Sequence, residues 1–199
     1  MRVVLLGPPG SGKGTQAALL AEQLGIPAVS TGELFRAHVA GGTELGRRAG
    51  AIAAAGALVP DDLTVAMVGE RLRRPDCRGG YLLDGFPRTL GQAEHLREEL
   101  AARGTGLDAV LELVVDDEEL IRRMSTRRVQ VDGAWVVRAD DEPETVRHRL
   151  SVYRTLTAPL VDFYAPEGLL VRIDAAGEVA TVAARLLAAL GRASHQHAR

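Results

Sequence analysis

The sequence predicts an α/β fold in which a parallel sheet is packed between helices. Three observations carry that prediction: five short apolar runs, helical sequence between successive runs, and a glycine-rich turn joining the first run to the first helix. A chain of 199 residues holds one such domain with small inserted flaps and can bury most of its apolar surface in one core. Apolar residues at 46% and charged residues at 25% exclude a disordered chain, a collagen-like repeat and a disulfide scaffold.

Residues 2–6 are apolar, partly β-branched and end at Gly7, which reads as a buried parallel strand. Thr15 to Leu24 has helical spacing. Four more strand-like runs follow at Ile26 to Val29, Tyr81 to Leu83, Ala109 to Val115 and Leu169 to Ile173. Helix starts are marked by Ser30-x-x-Glu33, by Asp61 after Pro60, by Asp116-Asp117 and by Asp141-Glu142-Pro143-Glu144. The last helix is expected over Glu178 to Leu190, closing at Gly191 and leaving a polar tail that contains His195 and His197. Two segments interrupt the alternation. The stretch between the second and third strands is far longer than an ordinary crossover and includes 31–59, rich in alanine and glycine, so it is an insertion. Between Arg127 and Arg138, alternating residues flank Asp132-Gly133, which predicts a small β-hairpin flap.

No apolar run nears the roughly 20 residues of a membrane span, and Val3 to Leu6 stops at Gly7-Pro8, too short for a signal-peptide core. Cys77 is the single cysteine, which excludes an internal disulfide and a multi-cysteine zinc site and suits the cytoplasm. It sits in the Arg74-to-Gly79 turn, where it reads as a small apolar residue. A net charge of −2 gives no electrostatic reason for a nucleic-acid or membrane partner, so a small molecule is expected. No exposed apolar stripe is evident, and a monomer is the expectation.

Gly7-Pro8-Pro9-Gly10-Ser11-Gly12-Lys13-Gly14-Thr15 follows a strand and opens a helix, the context of a phosphate-binding P-loop. Glycines let successive backbone N–H groups converge on a phosphate, the helix start adds partial positive charge, and the lysine reaches the outer phosphates. Lys13 is the only lysine, because 23 of the 24 basic residues are arginine. A chain that otherwise uses arginine keeps a compact ammonium at this one place. Gly14 stands where the hydroxyl ligand to Mg²⁺ usually sits, with Thr15 one place later. The metal is then expected on phosphates, water and a carboxylate elsewhere, for which Asp84, ending the run from Tyr81, is positioned. Arg36, Arg88, Arg123, Arg127, Arg138 and Arg149 lie in or beside the insertions and strand-end loops. Bidentate guanidinium groups suit the spread negative charge of phosphoryl transfer. Spacing alone does not select the catalytic ones.

Gly7 to Thr15, Ser30-Thr31-Gly32-Glu33, Leu83-Asp84-Gly85-Phe86-Pro87-Arg88-Thr89 with Gln92, and Arg138-Ala139-Asp140-Asp141 leading to Thr145-Val146-Arg147-His148-Arg149 resemble the adenylate kinase motifs, in order and across nearly the whole chain. The resemblance implies a P-loop three-layer α/β/α core with a five-stranded parallel sheet, formed by residues 1–29, 60–125 and 142–199. It adds a helical NMP-binding insertion at 30–59 and a β-hairpin lid at 126–141. It implies the reversible reaction of ATP and AMP to two ADP, with Mg²⁺ as cofactor and nucleotides as the only partners.

Residue by residue, the resemblance assigns ATP to Gly10, Ser11, Gly12, Lys13, Gly14 and Thr15, with Arg127 on the phosphates, Arg123 beside the adenine and the Gly177 carbonyl at the base. It assigns AMP to Thr31, Arg36, the backbone of Ala57, Leu58 and Val59, to Gly85, Phe86, Pro87, Arg88 and Gln92, with Gln92 reading the adenine edge. Arg138 and Arg149 close on the phosphates from the lid side, and Lys13, Arg88, Arg127, Arg138 and Arg149 are the catalytic set. Alanine at position 57 replaces the lysine of many relatives, a change that a backbone contact survives. The step from Arg127 to Arg138 is too short for the long zinc-bearing lid and lacks its cysteines, so no zinc is expected. Trp135 either leans on the ATP base or staples the hairpin strands, the staple being preferred.

A UMP or CMP kinase on the same fold is the nearest rival, and Thr89 with Gln92 favours AMP. A GTP-binding switch needs an Asn-Lys-x-Asp motif, which a chain without asparagine and with its one lysine in the loop cannot supply. An inert binding module is disfavoured because every phosphate-contacting position is present.

Overall fold

The computed structural model describes residues 1–54, 57–126, 129–131, 134–136 and 142–196. Five strands form one all-parallel sheet: β1 (Arg2–Leu6), β2 (Ala28–Ser30), β3 (Tyr81–Asp84), β4 (Ala109–Val114) and, after the hairpin strands β5 (Val129–Val131) and β6 (Ala134–Val136), β7 (Leu170–Asp174). Their order across the sheet is β2-β3-β1-β4-β7. β1 is central and nearly all apolar because both its faces are covered.

Its side chains alternate between two cores, as a pleated strand requires. Val4 and Leu6 join Leu83, Val110, Met67, Leu72, Leu96 and Leu160 on one face. Val3 and Leu5 join Leu82, Leu111, Leu20, Val182 and Leu186 on the other. The helices are thereby sorted. α4 (Asp61–Leu72), α5 (Leu90–Ala102) and α8 (Leu160–Tyr164) cover the first face, and α1 (Lys13–Leu24) and α9 (Val179–Gln196) the second. Truncating a wholly buried residue such as Leu82 to alanine costs about 2–5 kcal/mol.

The insertion folds as two packed helices, α2 (Thr31–Ala40) and α3 (Glu44–Ala54). The hairpin β5–β6 pairs antiparallel, Val129 opposite Val136, Gln130 opposite Trp135 and Val131 opposite Ala134. It springs from α6 (Asp117–Thr126), and the chain returns through α7 (Pro143–Val152). Leu120, Met124, Val146 and Leu150 pack these two helices together in a small cluster of their own.

Most element boundaries shift by one or two residues from the sequence reading, β2 being Ala28–Ser30 rather than Ile26 to Val29, and three further differences matter more. α1 begins at Lys13 rather than Thr15, capped by Gly12. α9 runs through Gly191 to Gln196, so His195 lies in helix and not in a tail, while His197 lies outside the described residues. A mid-helix glycine costs only about 1 kcal/mol, too little to stop the helix there. The helix begun at α7 also continues as a π-helical segment, Tyr153–Thr157, which nothing in the sequence announced.

Candidate active site

The five parallel strands end on one edge of the sheet, the edge at which folds of this kind take their ligands. Register places Asp84 of β3 opposite Leu5 of β1 on one side and Ser30 of β2 on the other. The glycine-rich loop, the Asp84 carboxylate and the start of the insertion therefore meet at one point.

The loop leaves β1 and enters α1 without a side-chain cap at Gly12, so the first N–H groups of α1 are left for an anion. Gly10 has φ +83°, and a Cβ there would stand 2.9 Å from Met124 Cγ and 3.1 Å from the Leu120 carbonyl. Only glycine fits both the turn and the helix beneath it. The Ser11 hydroxyl is buried without a hydrogen-bond partner. The Lys13 ammonium folds over the loop and donates to the carbonyls of Gly7 at 2.6 Å and Pro8 at 2.8 Å. A cradle of N–H groups, a buried unpaired hydroxyl and an adjoining ammonium form a donor set for a polyphosphate.

The Asp84 carboxylate accepts from Ser30 Oγ at 3.3 Å and faces the start of α1, where a Cβ on Gly14 would lie 3.8 Å from Asp84 Oδ2. Among the described residues no group of three His, Cys, Asp or Glu side chains could hold a metal. One carboxylate beside a phosphate-binding loop suits Mg²⁺, which binds through few protein ligands and keeps water.

Along the same edge, Thr31 donates to the Gly85 carbonyl at 2.9 Å, and the same carbonyl accepts Arg88 Nε–H at 2.8 Å. Gly85 has φ +78°, and a Cβ there would meet Thr31 Oγ1 at 2.7 Å and Arg88 Nη2 at 2.8 Å. Burial pulls the Arg88 pKa below its ordinary value, and the Asp84 charge opposes that shift. The guanidinium stays charged, as arginine does in proteins.

Arg88 is also pinned through its backbone, the N–H donating to Gln92 Oε1 at 2.8 Å and the carbonyl accepting Thr157 Oγ1–H at 2.8 Å. Gln92 is 2% exposed, and its Nε2 donates to Asp61 Oδ1 at 2.6 Å. Arg36 folds back along α2, its Nη1 3.2 Å from where a Gly32 Cβ would be. In the segment after α3, Ala57 N–H donates to the Ile52 carbonyl at 3.2 Å, and the Val59 carbonyl accepts from Thr64 at 3.3 Å.

At the other end of the edge, Arg123 bonds Glu119 at 2.6 Å and the Ala175 carbonyl at 3.0 Å. That brings it beside the loop carrying Gly177, which is exposed with φ +102° and open space around its Cα. Hydrogen bonds from Arg122 and Arg123 hold the Glu119 carboxyl at about 2. Arg149 is half-buried on α7, between Val146 and Leu150 of the α6–α7 cluster. Arg127 and Arg138 lie outside the described residues, as does the Trp135 side chain.

The structure thus gathers Gly10 to Thr15, Asp84, Thr31, Gly85, Arg88 and Gln92 along one edge. Sequence reading missed Asp61 and Thr157. Asp61 was legible only as a helix start, and the bonds that tie it to Gln92 and Thr157 to Arg88 span 31 and 69 residues of chain. Cys77, read as a small apolar residue, is buried in a 3-10 turn and accepts a 3.0 Å hydrogen bond from Arg71 Nη1.

The family model that matches this chain is that of adenylate kinase, over residues 5–169. The chain is similar to the adenylate kinase of Thermobifida fusca, with 59% identity covering 96% of this chain and 98% of the relative. It is 53% identical to that of Acidothermus cellulolyticus, over 96% and 98% of the two chains. It is 47% identical to that of Agrobacterium fabrum, over 98% and 100%.

Proposed function

The chain belongs to the adenylate kinase family, whose phosphotransferase reaction converts ATP and AMP to two ADP, and from that premise we propose how its own residues divide the work. The observation that carries the division is the lone lysine, held on a glycine-rich loop at the sheet edge that also bears Asp84 and the pinned Arg88.

ATP takes the P-loop side: Gly10 to Thr15 wrap its phosphates, Arg127 reaches them from the hairpin, and Arg123 with the Gly177 carbonyl borders its base. AMP takes the other side, on Thr31, Arg36, the 57–59 backbone, Gly85 to Arg88 and Gln92. When ATP binds, the Lys13 ammonium exchanges the Gly7 and Pro8 carbonyls for phosphate oxygens, which are stronger acceptors because they are charged. The acceptor oxygen is already ionised at neutral pH, so no general base is required and catalysis is alignment plus charge stabilisation. Lys13 stabilises the transferred phosphoryl group, and Arg88 bridges donor and acceptor. Arg127, Arg138 and Arg149 complete the cage when the 126–141 lid closes, and closure excludes water as a competing acceptor. Asp84 would hold the Mg²⁺ carried with ATP, and the ion would supply neutralisation of phosphate charge.

The proposed units are a core of 1–29, 60–125 and 142–199, an AMP insertion of 30–59 and the lid. The chain is proposed to act as a cytoplasmic monomer on free nucleotides, without zinc, nucleic-acid or membrane partner. A single buried cysteine fits a reducing compartment. Among the described residues no helix is long and apolar enough to cross a membrane. A coupled ADP-formation assay with AMP, UMP, CMP and GMP as acceptors, with and without Mg²⁺, tests the reading. Fastest turnover on AMP, lost on chelating Mg²⁺, is expected; a pyrimidine preference would overturn the AMP assignment.

A further inference from the structure

We propose that Asp61 is a positioning residue that fixes which way the Gln92 amide faces. It thereby makes the acceptor site selective for a base that offers an amino donor beside a ring-nitrogen acceptor. The inference rests on Gln92 as the reader of the acceptor base.

A carboxamide has two N–H donors and an oxygen with two lone pairs. One N–H is given to Asp61 Oδ1 at 2.6 Å, and one lone pair receives the Arg88 N–H at 2.8 Å. One donor and one acceptor remain for a ligand, and their order depends on which end of the amide is oxygen. A turned amide would set Oε1 against a carboxylate, which only accepts, and Nε2 against the Arg88 N–H, which only donates. Gln92 is 2% exposed, so little water is at hand to relieve either clash.

The carboxylate is itself anchored. Its Oδ2 accepts Thr89 Oγ1–H at 2.6 Å, and Thr89, the N-cap of α5, accepts the Gln92 backbone N–H at 3.2 Å. Asp61 opens α4, where the helix N-terminus favours negative charge. Asp61, Thr89, Gln92 and Arg88 thus form a closed set of bonds joining the starts of two helices, with no freedom left for the amide to turn.

With its phosphate held at Arg88, a purine meets this edge in one orientation. Adenine presents its 6-amino group and N1, a donor then an acceptor. Hypoxanthine presents O6 and N1–H, the reverse, and meets like with like. A site built around such hydrogen bonds discriminates strongly, since a mismatched partner leaves buried groups unpaired.

The test is kcat/KM for AMP against IMP in the wild type, Asp61→Asn and Gln92→Ala, with melting temperatures recorded. Asparagine at 61 can face either end of the Gln92 amide, so the preference for AMP should fall by about tenfold or more, with KM for AMP rising more than kcat falls. If Gln92→Ala loses the preference and Asp61→Asn keeps it, the role of Asp61 is overturned and Gln92 remains the reader. If Gln92→Ala keeps it, both fall. Should Asp61→Asn not fold, Thr89→Val, which removes the hydroxyl steadying Oδ2, must shift the ratio in the same direction by a smaller factor, and an unchanged ratio overturns the proposal.

Discussion

The proposed acceptor and donor sides of the site are finished to different degrees. On the acceptor side the Arg88 backbone, the Arg88 Nε–H and the Gln92 amide are already bonded to protein. On the donor side the Ser11 hydroxyl is buried without a partner, α1 starts at a Gly12 N-cap with no side-chain cap, and the lysine rests on carbonyls of its own loop. One side holds its shape before a ligand arrives, which lowers the ordering needed on binding. The other, on the proposed assignment, is completed by the ligand, whose charge would replace bonds the loop makes with itself. Substitutions of the donor-side functional groups should therefore act on chemistry and nucleotide affinity, those of its strained glycines on stability and ATP affinity, and those in the acceptor network on stability and specificity together.

The largest expected effect is that of Lys13→Met. It removes the only ammonium in the loop and should lower kcat by about 10³-fold or more with little change in melting temperature. Stopped-flow or coupled ADP formation measures it, and near-normal turnover would refute the role of Lys13. Arg88→Lys keeps a charge but loses the planar fork and the Nε–H bond to Gly85, so a fall of about 10²-fold in kcat is expected. Gly10→Ala should cost about 1–3 kcal/mol in urea unfolding, since its φ is +83° and its Cβ would crowd Met124 and the Leu120 carbonyl. Equilibrium dialysis should show ATP binding weakened while AMP binding is unchanged. Equal losses for both nucleotides would break the division between the two sides.

Thr157→Val deletes the donor to the Arg88 carbonyl and should cost about 1 kcal/mol of stability with a severalfold drop in kcat/KM for AMP. Smallest is Glu119→Gln. Folding lowers the Glu119 pKa from 4.5 to about 2, so its contribution is present above pH 4.5 and is lost as the pH falls towards 2. Urea midpoints of the two proteins should differ slightly at pH 6 and converge near pH 2. A gap that widens on acidification would show the sign to be wrong.

The elements that local chemistry dictates were legible. Apolar runs flanked by helical sequence marked all five sheet strands, Asp132-Gly133 marked the hairpin, and the loop glycines marked the turn that leads from β1 into α1, where phosphate is proposed to bind. Most of what escaped depends on residues distant in sequence. The β2-β3-β1-β4-β7 order is not written in any single strand. Gly191 reads locally as a stop, yet α9 continues through it, since a glycine inside a helix costs only about 1 kcal/mol. Asp61 carries no mark of its bond to Gln92, since only the packing of α4 beside α5 brings them together.

The solitary lysine has a practical corollary. Only two primary amines exist in the chain, the Met1 terminus, which donates to the Gly79 carbonyl, and Lys13. Reductive methylation with ¹³C-formaldehyde would therefore write two NMR signals, one of them inside the phosphate loop. The molecule offers a built-in spectroscopic reporter at the loop proposed to receive its donor nucleotide, with no competing label elsewhere among its basic side chains.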